Sequence, residues 1–253
     1  MRHLIATIVL GPVLLVQGIF VRLTVPKLPE APGAREGVTG SGMPLRVLIV
    51  GDSSAAGVGA ASQSKAFSGW LISSLISEFT VHWKLLAQTG SKTLETINRL
   101  ENYPSEQFDV VVTALGVNDV TAGICVRSWL NHQISLVKWL RDKFSTQHIL
   151  LSGLPPVHRF PSLPQPLRWY LGNQARRFDI ALRTWVETQQ DCDFVKINFA
   201  LDPELMAPDG FHPGPIIYGL WGKAVAQKIL ESRLSKSQMH HKRISSDPIV
   251  DYH

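Results

Sequence analysis

Five short apolar runs recur through the middle of the chain: RVLIVG at Arg46 to Gly51, VHWKLLA at Val81 to Ala87, DVVVTAL at Asp109 to Leu115, HILLSGL at His148 to Leu154 and FVKI at Phe194 to Ile197. Several are apolar at consecutive positions, which is the pattern of strands covered on both faces, and they predict five strands of a parallel sheet. Between them the period lengthens to that of a helix. Phe67 to Phe79 places Trp70, Leu71, Leu75 and Ile76 at core-facing spacings, and Trp129 to Phe144 does the same with Leu136, Trp139 and Leu140. Alternating strand and helix predicts an α/β fold with right-handed crossovers, whose ligands belong at the carboxyl ends of the strands.

The ends of the chain follow other patterns. Leu4 to Val21 is an 18-residue run without a charge, bounded by Arg2 and Arg22. It is just long enough to cross a bilayer, and the first 24 residues therefore read as a membrane anchor, with a cleaved signal segment or a buried core helix as alternatives. Residues 25–43 hold three prolines and four glycines and read as a linker. The globular domain is expected over 44–234, and the polar stretch 235–253 as a disordered tail in which His240 and His241 are solvated.

Composition narrows the function classes. At 253 residues, 45% hydrophobic and 18% charged, the chain can bury one sizeable core. A net charge of +5 is spread along the sequence without a nucleic-acid motif, so no nucleic-acid partner is expected. Cys125 and Cys192 have no zinc-site spacing, and neither a metal nor another cofactor is expected. Cys125 follows one strand's carboxyl-end loop while Cys192 precedes the last strand, so a disulfide between them is predicted absent.

Candidate chemistry gathers at the predicted strand ends. GDSSAAGVG, Gly51 to Gly59, follows the first strand but lacks the lysine of a phosphate loop and the GxGxxG of a dinucleotide fold. A serine at such a strand-to-helix turn instead exposes its hydroxyl beside backbone amides, which suits a nucleophile, Ser53, next to an oxyanion site. A hydroxyl needs a base, and the base must be held in one tautomer. PDGFHPG, Pro208 to Gly214, supplies Asp209 and His212 three residues apart in a constrained loop. Taken alone, such a loop is more often a turn. ALGVNDV, Ala114 to Val120, offers the Asn118 amide as an oxyanion donor or merely a helix cap, and Gly90 in AQTGSKT offers a backbone amide or merely a loop.

In combination and order, GDS, the TG turn, GVND and DGFHP resemble the four blocks of the SGNH hydrolases, also called GDSL esterases and lipases, over about residues 47–228. The resemblance implies Ser53, His212 and Asp209 as catalytic residues, and Ser53, Gly90 and Asn118 as oxyanion donors. It also implies a flavodoxin-like three-layer sandwich with a five-stranded sheet ordered 2-1-3-4-5, and makes Asp52 and Asp119 structural. Ser54 stands where the family name has leucine.

The expected function is hydrolysis of a small-molecule or lipid ester, with acyl transfer to a sugar or lipid hydroxyl, or a non-catalytic carbohydrate- or lipid-binding module, as alternatives. A family member with such an N-terminus is expected in the cell envelope, anchored with its domain outside the cytoplasm, or secreted. The proline-rich stretch Gly153 to Asp179 is expected to wall the pocket with Phe160, Trp169 and Tyr170. Its Arg159, Arg168, Arg176 and Arg177 hint at anionic esters.

Overall fold

The computed structural model describes residues 2–197 and 202–244. Among the described residues six strands form one sheet: β1 (Glu36–Thr39), β2 (Met43–Gly51), β3 (Phe79–Ala87), β4 (Val110–Ala114), β5 (Ile149–Ser152) and β6 (Cys192–Val195), in the order β1-β3-β2-β4-β5-β6. The five parallel strands are those predicted, and their order is the predicted one. The sixth, β1, is an addition: it arises within the expected linker and pairs antiparallel with the outer edge of β3, Gly37 opposite Trp83.

Among the described residues there are seven α-helices: α1 (Arg2–Thr24), α2 (Phe67–Ser73), α3 (Thr93–Glu101), α4 (Val117–Thr121), α5 (Val126–Phe144), α6 (Leu167–Val186) and α7 (Pro215–Ile244). β2 divides its side chains between two cores, as period-two alternation requires. Leu48 and Val50 join Trp129, Leu136 and Phe178 on the α5–α6 face, whereas Val47 and Ile49 join Phe67, Leu71, Trp221 and Val225 on the α2–α7 face. Each such aliphatic side chain, fully buried, contributes about 1.5–3 kcal/mol.

The expected helix over Phe67 to Phe79 stops at Ser73. Ser73 and Ser74 both turn their hydroxyls back to the Trp70 carbonyl, at 3.1 and 2.8 Å, and Phe79 is drawn into β3.

The spanning anchor expected at Leu4 to Val21 finds no support: among the described residues, no helix is long and apolar enough to cross a membrane. α1 lies against the domain instead, with Leu14 buried. Gln17, the polar residue in the middle of the run, accepts from the Leu167 amide at 3.0 Å and donates to the Gln165 carbonyl at 2.6 Å. At the other end, α7 is helical as far as Ile244, into the stretch read from sequence as a tail; residues 245–253 lie outside the described ones.

The register sets up the site. Gly51 at the end of β2 aligns with Ala87 of β3 and Ala114 of β4, so the three loops that follow emerge side by side at the carboxyl edge. They carry Ser53, Gly90 and Asn118 respectively.

Candidate active site

After Gly51 the chain folds into consecutive tight turns: Ala56 donates to the Asp52 carbonyl at 2.9 Å and Val58 to the Ser53 carbonyl at 3.0 Å. Ser53 is 7% exposed, its hydroxyl held at the floor of a pocket. From the far end of the sequence, His212 Nε2 reaches Ser53 Oγ at 2.9 Å, and His212 Nδ1 reaches Asp209 Oδ2 at 2.6 Å. Three residues predicted from two separate motifs thus meet in one hydrogen-bonded relay.

The three-residue spacing in DGFH works because Asp209 bonds both ways. Its Oδ1 accepts the Phe211 and His212 amides, both at 3.0 Å, closing an Asx-type turn that aims Oδ2 at the ring. Burial pushes this carboxyl up, but the imidazole and the two amides outweigh it and hold it below its ordinary value. A carboxylate so fixed keeps the proton on Nδ1 and leaves Nε2 free to accept from the serine.

Other elements brace the histidine loop. Ala207 donates to the His212 carbonyl at 2.9 Å, and Met206 pairs with Pro213 across a β-bridge. Ser162, in the proline-rich stretch, donates its hydroxyl to the Gly210 carbonyl at 2.9 Å, and Phe160 meets Phe211 edge-on at 5.0 Å between centroids.

Gly59 packs against the same loop from the serine side. At φ +92° it occupies the left-handed region, and a Cβ there would lie 2.6 Å from Ala207 Cβ and 2.8 Å from the Pro213 carbonyl oxygen. In the sequence this glycine reads only as part of a permissive loop; its pairing with the histidine loop is visible only in three dimensions.

Asn118 lines the same pocket as Ser53. Its Nδ2 donates to the Ser91 carbonyl at 3.1 Å and makes a longer contact of 3.4 Å with Asp52 Oδ2. One proton is thereby fixed, and the weakly held one is available to a stronger acceptor such as a developing oxyanion. Gly90 is not part of the pocket wall; it sits at an exposed turn with φ +80°, a backbone conformation that suits glycine, two residues before α3 begins at Thr93's cap.

The two expected structural acids have distinct places. Asp52 accepts from the Ser54 amide at 3.0 Å, and its burial pushes the carboxyl up to about 6. Asp119 is fully buried and accepts from the Thr93 hydroxyl at 2.9 Å and the Thr93 amide at 3.1 Å, tying the Asn118 loop to the start of α3. Gln133 of α5 donates to the same hydroxyl at 3.1 Å.

The pocket beside Ser53 is walled mainly by apolar side chains, among them Leu115, Leu154, Phe160, Met206, Phe211 and Trp221. Trp221 Nε1 donates to Ser152 Oγ at 3.1 Å, so even its polar atom is occupied. Phe160 is in the expected wall. Trp169 and Tyr170 are not, for they lie on α6, where Trp169 is 48% exposed. None of Arg159, Arg168, Arg176 and Arg177 lines the pocket; Arg168 donates to the Leu163 carbonyl at 2.6 Å and Arg177 to Gln174 Oε1 at 3.3 Å.

A parallel three-layer fold carrying serine, histidine and carboxylate at its carboxyl edge defines a class of hydrolases. The family model for GDSL-like lipases and acylhydrolases matches residues 49–220, and the chain belongs to that family. No curated protein matches it by sequence. Solved structures with the same fold include an acetyl-xylooligosaccharide esterase from Geobacillus Stearmophilus, with 17% identity, TM-score 0.59, and coverage of 76% of this chain and 96% of that one. The psychrotrophic esterase EstA from a Pseudoalteromonas species shows 19% identity and TM-score 0.56 over 74% and 97%. A lipolytic G-D-S-L protein from Veillonella parvula shows 14% identity and TM-score 0.57 over 74% and 97%.

Proposed function

We propose that the chain is a serine-dependent carboxylic ester hydrolase that works through an acyl-enzyme on Ser53. The observation that carries this reading is the relay from Asp209 Oδ2 through both nitrogens of His212 to Ser53 Oγ, at 2.6 and 2.9 Å. Ser53 Oγ attacks the ester carbonyl while His212 Nε2 takes its proton, and Asp209 stabilises the imidazolium that forms. Charge on the carbonyl oxygen is met by Asn118 Nδ2 and the Ser53 backbone amide and, on the family pattern, by the amide of Gly90 in the turn next to the pocket. His212 then protonates the leaving alcohol. Water, deprotonated by the same nitrogen, attacks the acyl-enzyme and frees the acid.

The apolar wall supports an uncharged acyl group bound beside Ser53, and the four arginines, none of which lines the pocket, give no support to an anionic one. Neighbours in fold act on acetylated oligosaccharides or are called esterases and lipases, which agrees with ester chemistry at large. The test is release of p-nitrophenol from acetate, butyrate and octanoate esters, with product analysis in the presence of a sugar alcohol. Hydrolysis that disappears in Ser53→Ala supports the reading. Acyl product found mainly on the added alcohol would make the enzyme a transferase, and turnover unaffected by Ser53→Ala would remove Ser53 from the chemistry.

A further inference from the structure

The turn Gln88 to Ser91, which carries Gly90 between β3 and α3, is gripped by two charged side chains outside every family motif. Arg99 of α3 donates through Nη1 to Gln88 Oε1 at 2.6 Å and to Ser91 Oγ at 2.9 Å. Glu30, from the stretch ahead of β1, accepts with Oε1 from both the amide and the hydroxyl of Thr89 at 2.7 Å. Its other oxygen takes Arg35 Nη2 at 2.6 Å, and Arg35 Nη1 donates to the Ala87 carbonyl at 2.9 Å. Residues 87, 88, 89 and 91 are therefore each tied down, and Gly90 is held between them. A Cβ at Gly90 would meet nothing within 4 Å, so neighbouring atoms do not fix this residue; the grip on its flanks does.

The grip extends to the second donor. Ser91, whose hydroxyl Arg99 holds, presents its carbonyl to Asn118 Nδ2 at 3.1 Å. One guanidinium thus sets the position of a carbonyl that in turn sets the Asn118 amide. The arrangement has a cost that a freely solvated arginine would avoid: Arg99 Nη2 is buried without a hydrogen-bond partner among the described residues, and burial holds this guanidinium below its ordinary range.

We propose that Arg99, seconded by Glu30, is a positioning residue for the oxyanion site, fixing the Gly90 amide and the Asn118 side chain relative to Ser53. The proposal rests on the esterase reading for its kinetic part only. Both bonds come from one nitrogen, Nη1, whose two N–H groups are fixed in the guanidinium plane at the end of a longer side chain; a lysine ammonium is one bond shorter and turns freely, so arginine and lysine are not equivalent here.

The experiment compares the full-length chain with its Arg99→Ala, Arg99→Lys and Glu30→Gln variants. In Arg99→Ala, kcat for p-nitrophenyl acetate falls roughly 30-fold, below the ~100- to 1000-fold loss of an entire donor, while KM changes little. Added guanidinium ion restores part of it, and Arg99→Lys lies between. The Gly90 amide resonance moves and broadens in Arg99→Ala while those of Gly59 and Gly210 stay in place, a readout that needs no activity. If Arg99→Ala does not fold, Glu30→Gln and Arg99→Lys carry the test through the same resonance. Unchanged kcat, a stationary Gly90 resonance, or a loss fully accounted for by a smaller fluorophosphonate-labelled fraction overturns the proposal. Failure of the esterase reading shows separately, as turnover that survives Ser53→Ala.

Discussion

Replacing Asp209 by asparagine isolates the orientation of His212 from the stability of its loop. Asp209 Oδ1 accepts two backbone amides at 3.0 Å, so an asparagine places its carbonyl oxygen there, since an NH2 group would face two donors. Its NH2 then faces His212 Nδ1 across the 2.6 Å contact, turns that nitrogen into an acceptor, and moves the ring proton to Nε2. Nε2 now donates to Ser53 Oγ, at 2.9 Å, instead of accepting from it. A wrong tautomer of this kind costs about 10⁴-fold in kcat in serine triads, equivalent to about 5 kcal/mol of activation free energy. The fold should lose little, about 1–2 kcal/mol for the charged bond, because both amide bonds survive.

Asp209→Ala is the control. It leaves the Phe211 and His212 amides without their acceptor and should be less stable than Asp209→Asn by about 1–3 kcal/mol per amide, at similar inactivity. Steady-state hydrolysis of p-nitrophenyl acetate and urea unfolding on both variants supply the numbers. Asp209→Asn with kcat within tenfold of the parent and an intact fold would refute the tautomer argument and leave histidine orientation to another group.

Two further predictions concern Asp52 and Gly59, on either side of the Ser53 turn. Asp52 has a folded pKa raised to about 6 against an ordinary 3.8, so the folded state binds the extra proton and stability falls as pH rises through that window. The difference corresponds to about 3 kcal/mol above pH 7. Asp52→Asn removes it, so urea unfolding at pH 4 and pH 7.5 should show a steeper decline for the parent than for the variant; parallel declines would contradict the assignment. Gly59→Ala places a methyl 2.6 Å from Ala207 Cβ at φ +92°, and strain with overpacking should cost about 2–4 kcal/mol. Because Ala207 is bonded to the His212 carbonyl, kcat should fall as well; a stable variant with parental kcat would show that the loop yields without moving the histidine.

The parts of the site legible in the sequence are those whose chemistry is local. Ser53 sits in a small-residue turn straight after a strand, and Asp209 and His212 are close enough in sequence to close one turn, so residue types and spacing suffice. What stayed hidden depends on partners distant in the chain. Glu30 reaches Thr89 across 59 positions, and nothing in a proline- and glycine-rich stretch separates such a clamp from a solvated linker charge. Strand β1 carries one large apolar residue, Val38, which is exposed, and is held by backbone pairing to the edge of β3, which leaves no side-chain period to read. The apolar run at the N-terminus fits a membrane helix and a packed one equally by length. Gln17 marks the helix as packed, through partners at residues 165 and 167, as does the buried Leu14.

The 2.9 Å bond to His212 makes Ser53 Oγ the proposed nucleophile. Intact-mass analysis after incubation with a fluorophosphonate tests it directly, with peptide mapping of the adduct. One adduct per chain is expected, on Ser53, formed rapidly in the parent, slowed strongly in His212→Ala and absent in Ser53→Ala. An adduct on another residue, or labelling that persists in Ser53→Ala, would contradict it.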